Sequence, residues 1–291
     1  MGTDHTEAVE HRLAVVGAGV MGTNITTTAL GHGVDVVLVD VSDEALAGGR
    51  RKIKEKTRHA QLMGALPADR TPGTLTTTTD LAGVADATVV VEAVLEVAEV
   101  KQKVLTEVGR IVRPGTVVIS NTSCIPIDEM ANWLERPEEL VGVHFMNPTY
   151  LIKAVEMIRG PRTSEATMAG GKALLSRMGR EGLVVNDNPG FVINFLLHPL
   201  INSAAKLVER GVADVETVDK LLEGCLGHST GPLRTADLIG IDNLVDSLVV
   251  LHERTGDESC NPCELMLEKV RTGAHGRKSG RGFYDYGKVV S

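Results

Sequence analysis

Short apolar runs alternate with longer segments of helical periodicity as far as residue 187. The runs are rich in Val, Ile and Leu, and polar or glycine-containing turns follow them. In the segments between them, apolar residues recur every three or four positions. This alternation is typical of a parallel sheet with crossover helices. The predicted strands cover residues 12–16, 34–39, 75–79, 87–94, 116–120, 140–143, 152–158 and 183–185.

The periodicity changes at residues 186–190, where Asn-Asp-Asn-Pro-Gly suits neither a strand nor a helix. From Phe191 onward the pattern is helical, with segments at 191–210, 214–226, 237–254 and 262–271 and no convincing strand. We therefore predict two domains. Residues 1–187 should form a doubly wound, mostly parallel α/β sheet, and residues 188–291 an all-helical second domain.

Composition and charge narrow the class of protein. Hydrophobic residues make up 43% and aromatic residues 3% of the chain, which suits the aliphatic core of a parallel sheet. A net charge of -8 argues against a nucleic-acid partner. No apolar run approaches the roughly 20 residues that span a bilayer, and the polar start from Met1 to His11 is unlike a signal peptide. We expect no membrane contact and a cytoplasmic location.

The cysteine pattern gives no metal site. The chain has four cysteines, few for its length, which indicates reduced thiols. Cys260 and Cys263 have the local spacing of a zinc site, but no second Cys or His pair stands nearby to complete four ligands. We expect no bound metal.

A glycine-rich loop between the first strand and the first helix predicts a dinucleotide site. Gly17 permits the tight turn, Gly19 lets a pyrophosphate approach the backbone, and Gly22 lets helix and strand pack closely. The second strand ends in Asp40, where a carboxylate can bind both ribose hydroxyls. Asp40 would repel a 2'-phosphate, so NAD is favoured over NADP. The fold is then of the Rossmann type, with Gly17, Gly19, Val20, Met21, Gly22 and Asp40 as cofactor-binding residues.

Polar residues follow two further predicted strands. Glu96 and Lys101 flank the end of the strand at 87–94, and Asn121 and Ser123 follow the strand at 116–120. Because the carboxyl ends of parallel strands face one crevice, we predict that Glu96, Lys101 and Asn121 bind the cofactor. Ser123 is a candidate donor to a substrate oxygen or to the nicotinamide ribose. A plain turn with an asparagine cap remains the alternative for residues 121–123.

A histidine follows the next predicted strand, and a glutamate lies on the strand after it. His144 follows the apolar run 140–143, and Glu156 lies on one face of the alternating run 152–158. If these strands are neighbours, the carboxylate can hold one ring nitrogen and raise the basicity of the other, as a general base requires. A structural histidine fits the same pattern. Asn194, in the first turn of the first helix of the second domain, is expected to point toward the crevice, or else is an ordinary polar residue at a helix start.

Basic residues gather in the segment from Asp43 to about Met63 of an otherwise acidic chain. Arg50, Lys54 and Arg58 are four residues apart, which places them on one helix face. Such a strip suits phosphates or an acidic partner. A solvated helix face is the alternative.

The ordered set of motifs resembles the L-3-hydroxyacyl-CoA dehydrogenase family from Arg12 to Gly287. The motifs are the glycine loop with Asp40, and then residues 92–96 (EAVLE), 121–123 (NTS), 144–148 (HFMNP), Glu156, 188–194 (NPGFVIN), 231–237 (GPLRTAD) and 276–284 (GRKSGRGFY). The resemblance implies that His144 takes the hydroxyl proton while hydride passes to NAD. It also implies that Glu156 orients the imidazole, that Ser123 and Asn194 bond the reacting oxygen or the thioester, and that the protein is a homodimer.

Several positions depart from the family pattern. Phe195 replaces an arginine, Cys124 replaces a serine, and the segment Thr149-Tyr150-Leu151-Ile152-Lys153 replaces Val-Pro-Val-Met-Lys. Tyr150 thus stands where a short acyl chain is expected to run. The turn at residues 61–67 lacks the lysines of the family's CoA side.

With these departures the chain resembles one branch of the family. Enzymes of this branch oxidise glyceryl groups on acyl carrier protein in the biosynthesis of hydroxymalonyl or methoxymalonyl polyketide extender units. The basic strip Arg50, Lys54 and Arg58, together with Tyr150, is then the expected substrate or carrier contact. The alternative is a 3-hydroxybutyryl-CoA or 3-hydroxyacyl-CoA dehydrogenase of fatty-acid or butanoate metabolism. A remote alternative is a non-catalytic NAD-binding protein of the crystallin kind, which would bind cofactor without transferring hydride.

Overall fold

A computed structural model describes residues 11–287 of the chain. The polar start on which the absence of a signal peptide was predicted lies outside this range, apart from His11. The chain divides into two compact units, the first ending at Asp187 and the second beginning at Asn188. Within the described range, no helix is long and apolar enough to cross a membrane.

The first unit is built on one sheet of eight strands, in the order β3-β2-β1-β4-β5-β6-β7-β8. All neighbouring strands are parallel except β6 and β7, which are antiparallel. The strands are β1 Arg12–Val16, β2 Asp35–Val39, β3 Leu75–Thr78, β4 Val89–Glu92, β5 Val117–Ser120, β6 Leu140–His144, β7 Ala154–Arg159 and β8 Glu181–Asn186. The predicted Rossmann-type α/β fold is confirmed.

Five α-helices connect these strands in the described part of the first unit. They are α1 Val20–Gly31, α2 Asp43–Leu62, α3 Ala98–Ile111, α4 Ile127–Ala131 and α5 Glu165–Arg177. Ser42 caps α2 by accepting a hydrogen bond from the amide of Ala45, and Ser164 caps α5 in the same way from Thr167. The interior is aliphatic, and side chains such as Val15, Leu38 and Ile119 are fully buried. Such burial on both faces of the sheet is what the continuous apolar runs predict.

The described part of the second unit is helical, as the sequence indicates. Its α-helices are α6 Ile193–Glu209, α7 Val215–Leu226, α8 Pro232–Ile239, α9 Ile241–Thr255 and α10 Glu264–Arg271. The prediction of a single helix over residues 237–254 is wrong. Gly240 has a φ of 97°, a backbone conformation that ends α8 and starts α9 in a new direction. The short helix α4 was not predicted either, because five residues are too few for a periodic pattern.

Candidate active site

The glycine loop between β1 and α1 has the shape that a dinucleotide requires. Gly17 has a φ of 108° and its amide donates to the carbonyl of Val39 at 2.7 Å. A side chain on Gly17 would lie 2.5 Å from the carbonyl oxygen of Ala93, and one on Gly22 would collide with the backbone of Gly17. A side chain on Gly19, by contrast, would meet no atom within 4 Å. Gly17 and Gly22 therefore serve close packing, whereas Gly19 leaves open space beside the chain.

This open space lies at the amino terminus of α1, where Val20 is the first helical residue. Free backbone N–H groups and the helix dipole favour an anion there. The carboxylate of Asp40 lies beside the same loop, because its Oδ2 accepts a hydrogen bond from the amide of Ala18 at 2.7 Å. A pyrophosphate cradle with an adjacent carboxylate for ribose hydroxyls fits a dinucleotide.

A buried ionic network follows at the carboxyl ends of β4 and β5. Lys101 is fully buried, and its Nζ lies 2.7 Å from Oε1 of Glu92 and 3.2 Å from Oε2 of Glu96. The second oxygen of Glu92 accepts a bond of 2.6 Å from the hydroxyl of Ser120. Oε1 of Glu96 accepts from the hydroxyl of Thr122 and from the amide of Ser123, the latter at 2.8 Å. Glu96 therefore fixes the turn that carries Ser123, and Lys101 fixes Glu96.

The charge state of Glu96 follows from these contacts. Partial burial on its own would raise the pKa of this carboxyl group. The ammonium of Lys101 and the hydrogen bonds from Thr122 and Ser123 outweigh burial and hold the pKa of Glu96 below its ordinary value. Glu96 is consequently a carboxylate at neutral pH.

His144 and Glu156 are direct partners across the antiparallel pair β6 and β7. Nδ1 of His144 lies 2.8 Å from Oε2 of Glu156, and both residues are 6% exposed. A carboxylate at this distance favours the tautomer with hydrogen on Nδ1, which leaves Nε2 as the basic nitrogen. An imidazole so arranged can accept a proton from an alcohol.

Asn121 joins this histidine to the end of β5. Its backbone N–H donates to the carbonyl of Glu92 at 2.9 Å. Its side-chain Oδ1 accepts from the backbone N–H of Phe145, next to His144, at 3.2 Å. Asn121, which the sequence predicts to bind the cofactor, therefore also connects the ionic network to the segment that carries the candidate base.

The predicted carrier residues lie on α2 and in the segment that follows β6. Arg50, Lys54 and Arg58 are exposed on α2, and Arg50 donates to the hydroxyl of Thr77. Tyr150 is 8% exposed and its hydroxyl lies 3.1 Å from Nδ1 of His59, also on α2. Asn194, the remaining candidate, is the second residue of α6 in the second unit.

No cluster of three or more His, Cys, Asp or Glu side chains suited to a metal ion occurs between residues 11 and 287.

Comparison with known protein families decides the assignment. Residues 12–188 match the family described as 3-hydroxyacyl-CoA dehydrogenase, NAD binding domain. Residues 190–286 match 3-hydroxyacyl-CoA dehydrogenase, C-terminal domain.

The chain belongs to the 3-hydroxyacyl-CoA dehydrogenase family.

Individual proteins are similar to this chain over almost its whole length. A probable 3-hydroxybutyryl-CoA dehydrogenase of Bacillus subtilis is 38% identical over 283 residues, which are 96% of this chain and 99% of the relative. The crystal structure of Mycobacterium tuberculosis FadB2 is 37% identical with a TM-score of 0.92, covering 97% of this chain and 100% of that one. The crystal structure of (S)-3-hydroxybutyryl-CoA dehydrogenase PaaH1 of Ralstonia eutropha is 33% identical with a TM-score of 0.88, covering 96% of this chain and 100% of that one.

Membership of the 3-hydroxyacyl-CoA dehydrogenase family confirms two predictions. The cofactor is NAD, and the protein is an NAD-dependent oxidoreductase that acts on a CH–OH group. The relatives are named as dehydrogenases, which disfavours the alternative of a non-catalytic crystallin-like protein.

Sequence reasoning missed several residues of this dehydrogenase that surround the candidate site. Glu92 was read only as part of a motif, although an acidic residue at the end of an otherwise apolar strand was a usable signal. Lys56, on α2 beside the predicted basic strip, is half-buried, and its Nζ donates to the hydroxyl of Thr23 on α1 at 2.9 Å. No periodicity predicts this contact, because it joins two helices 33 residues apart in sequence.

Proposed function

We propose that this protein oxidises the 3-hydroxyl group of a short 3-hydroxyacyl-CoA, such as (S)-3-hydroxybutyryl-CoA, with NAD. The observation that carries the proposal is the buried contact of 2.8 Å between His144 and Glu156 at the carboxyl end of β6. It provides the base that oxidation of an alcohol needs. The names of the relatives, 3-hydroxybutyryl-CoA dehydrogenases aligned over more than nine-tenths of the chain, support a CoA thioester.

In the proposed reaction Nε2 of His144 takes the hydroxyl proton of the substrate. NAD, when bound, would supply the acceptor for the hydride on the carbon that bears this hydroxyl group. Loss of the proton raises electron density on that carbon, and a positioned base is worth roughly 10²- to 10⁴-fold in rate. Glu156 stabilises the imidazolium that forms. Ser123 and Asn194 are proposed to donate hydrogen bonds to the reacting oxygen or to the thioester carbonyl.

We assign the cofactor contacts in the same way. The loop from Gly17 to Gly22 would hold the pyrophosphate, and Asp40 the adenosine ribose. Glu96 and Asn121 would bind at the nicotinamide end. Because the side chain of Lys101 is fully buried, we propose that Lys101 acts by orienting Glu96 and does not touch the cofactor itself.

A second candidate is oxidation of a glyceryl group on acyl carrier protein. The exposed basic strip of Arg50, Lys54 and Arg58 favours it, because a carrier protein presents an acidic helix to its partners. The acyl-CoA proposal has broader support, since the relatives named above are dehydrogenases of CoA esters.

Measuring kcat/KM for (S)-3-hydroxybutyryl-CoA and for a glyceryl-acyl carrier protein, each with NAD, distinguishes the two proposed functions. We expect higher efficiency with the CoA ester. If the carrier protein is preferred, the Arg58→Ala variant should lose efficiency more at low ionic strength than at high, because steering is screened by salt. Lys103→Ala, an exposed lysine of α3, is the matched control. Preference for the carrier protein with this salt dependence would replace the CoA proposal.

We also propose a homodimer formed through the helical unit. Leu196, Leu200 and Leu207 of α6 are 64%, 38% and 39% exposed, and at about 100° per residue they share one helix face. An exposed apolar face of this kind is typical of an oligomer interface. Light scattering coupled to gel filtration should give a dimer for the wild type and a monomer for Leu200→Glu. A monomeric wild type at micromolar concentration would refute the proposal.

A further inference from the structure

One face of the sheet continues from the candidate base toward the edge strand β8. His144 on β6 is paired with Glu156 on β7, and Glu156 is paired in turn with Leu183 on β8. Because paired residues on neighbouring strands point to the same face of a sheet, these three side chains form one row. With strands about 4.8 Å apart, Leu183 lies about 10 Å from His144 along this row.

The outer part of this row is apolar and open to solvent. Leu183 is 51% exposed, whereas His144 and Glu156 are each 6% exposed. Ala154, two residues before Glu156 and on the same face of β7, is exposed as well, and its partner on β8 is the exposed Glu181. Leu183 and Ala154 therefore form a small apolar surface beside the base, with Glu181 at its polar rim.

The backbone that leads into this apolar surface is held in place from below. Ile152, two residues before Ala154, is 36% exposed. Its carbonyl and the carbonyl of Thr149 each accept a hydrogen bond of 3.0 Å from Nη1 of Arg180, which is 5% exposed. Apolar side chains on backbone that is already fixed cost less entropy when they bind a ligand.

An apolar side chain that is exposed on an edge strand needs an explanation. β8 is the last strand of the described sheet, and edge strands usually carry charged or covered positions that discourage association with other chains. A ligand or a second copy of the chain that covers Leu183 would account for its character. The acyl chain is favoured because Leu183 lies in the same row as the base that meets the substrate.

We propose that Leu183, together with Ala154 and Ile152, binds the hydrocarbon chain of the acyl group, which makes Leu183 a specificity-determining residue. This inference rests on the proposed function, in which His144 meets the 3-hydroxyl group. In a 3-hydroxybutyryl group a single methyl lies beyond that carbon, too short to reach a side chain about 10 Å away. Leu183 is therefore contacted by longer acyl chains, and the substrate class extends to medium-chain thioesters.

The test compares kcat/KM for (S)-3-hydroxybutyryl-CoA and (S)-3-hydroxydecanoyl-CoA, each with NAD. It is carried out on the wild type, on Leu183→Asn, which is similar in size but polar, and on Leu183→Ile, which stays apolar. Val184→Asn is the matched control, because Val184 is the next residue of β8, is 42% exposed and faces the opposite side of the sheet. Light scattering on the same variants measures their oligomeric state.

In the wild type we expect kcat/KM to be at least about tenfold higher for the decanoyl ester, since each buried CH₂ group is worth up to about fourfold in binding. Leu183→Asn should lose most of this preference through a fall in kcat/KM for the longer ester. Leu183→Ile and Val184→Asn should keep the preference.

Three results would overturn the proposal. One is a wild type without preference for the longer ester, which is informative even if Leu183→Asn fails to fold. Another is an equal loss of preference in Val184→Asn. The third is a Leu183→Asn variant that keeps the preference but becomes monomeric, which would assign Leu183 to a subunit contact. A wild type inactive on both esters would refute the proposed function itself, and with it the basis of this inference.

Discussion

Nδ1 of His144 and Oε2 of Glu156 lie 2.8 Å apart because the two residues are paired across the only antiparallel step in the sheet of the described chain. The turn between β6 and β7 thus reverses the chain and brings a carboxylate opposite the histidine that ends β6. The pairing of β6 with β7 therefore positions the candidate base.

The carboxylate of Glu156 should contribute to turnover through His144. In Glu156→Gln the amide oxygen still accepts from Nδ1, but the negative charge that stabilises the imidazolium is lost. We expect kcat to fall about 10- to 100-fold with the KM for NAD nearly unchanged. Steady-state kinetics should also show no further loss of kcat when Glu156→Gln is added to His144→Gln. Glu165→Gln, an exposed glutamate of α5, serves as the control, and equal effects of the two glutamate changes would argue against a role for Glu156 in orientation.

The Asp40 carboxylate should select NAD over NADP. Removing it in Asp40→Ala takes away the acceptor for ribose hydroxyls and the repulsion of a 2'-phosphate, so the KM for NAD should rise about tenfold and the preference for NAD should shrink. The ratio of kcat/KM for the two cofactors measures this. Glu44→Ala, in the first turn of α2, should leave the ratio unchanged. An unaltered ratio in Asp40→Ala would show that another residue reads the ribose.

Lys101 should be essential to the stability of the first unit. Lys101→Met leaves Glu92 buried without its cation, and breaking a buried ion pair on one side costs about 3–5 kcal/mol. Urea unfolding should show this loss, together with a smaller loss in the double variant Glu92→Gln and Lys101→Met. Lys103→Met, on the exposed side of the same helix, should change stability by less than about 0.5 kcal/mol. A double variant less stable than Lys101→Met would contradict the pairing.

Lys56 should make stability depend on pH in the alkaline range. Burial, with a smaller contribution from Lys52, lowers the pKa of Lys56 from 10.5 to about 8. Between these values the unfolded chain binds more protons than the folded one, so stability rises with pH across that window. Below pH 8 the charged, half-buried ammonium is unfavourable.

Lys56→Gln keeps a donor for Thr23 and removes the charge. It should therefore stabilise the protein at pH 7, with a gain that disappears by about pH 10.5. Urea unfolding at both pH values measures this, and Lys54→Gln, an exposed neighbour on α2, should show no such trend. A gain of equal size at both pH values would mean that the charge of Lys56 is not its source.

Much of the fold could be predicted because local patterns determine it. The apolar runs gave each strand to within a few residues, and Gly17, Gly19 and Gly22 marked the turn from β1 to α1. His144 and Glu156 could be singled out because each belongs to a strand with a readable pattern. That the strands carrying them pair antiparallel, with these two residues in register, was not predictable from either strand alone.

What the sequence did not reveal depends on contacts between distant segments. Asn24 and Asn147 are 123 residues apart, and an asparagine inside a helix gives no sign of its partner. The burial of Lys101 between two glutamates was missed because lysine on a helix is usually solvated. The break at Gly240 was missed because a glycine within a helical pattern is often tolerated.

Single-turnover formation of NADH by His144→Gln is the most direct test of the central assignment, that the imidazole held by Glu156 removes the substrate proton. The variant is mixed with excess NAD and (S)-3-hydroxybutyryl-CoA in a stopped-flow instrument, and its NADH affinity is measured separately. We predict a rate lower than that of wild type by at least about 10²-fold with NADH affinity within about twofold. A rate close to wild type, with the cofactor bound normally, would show that His144 is not the base.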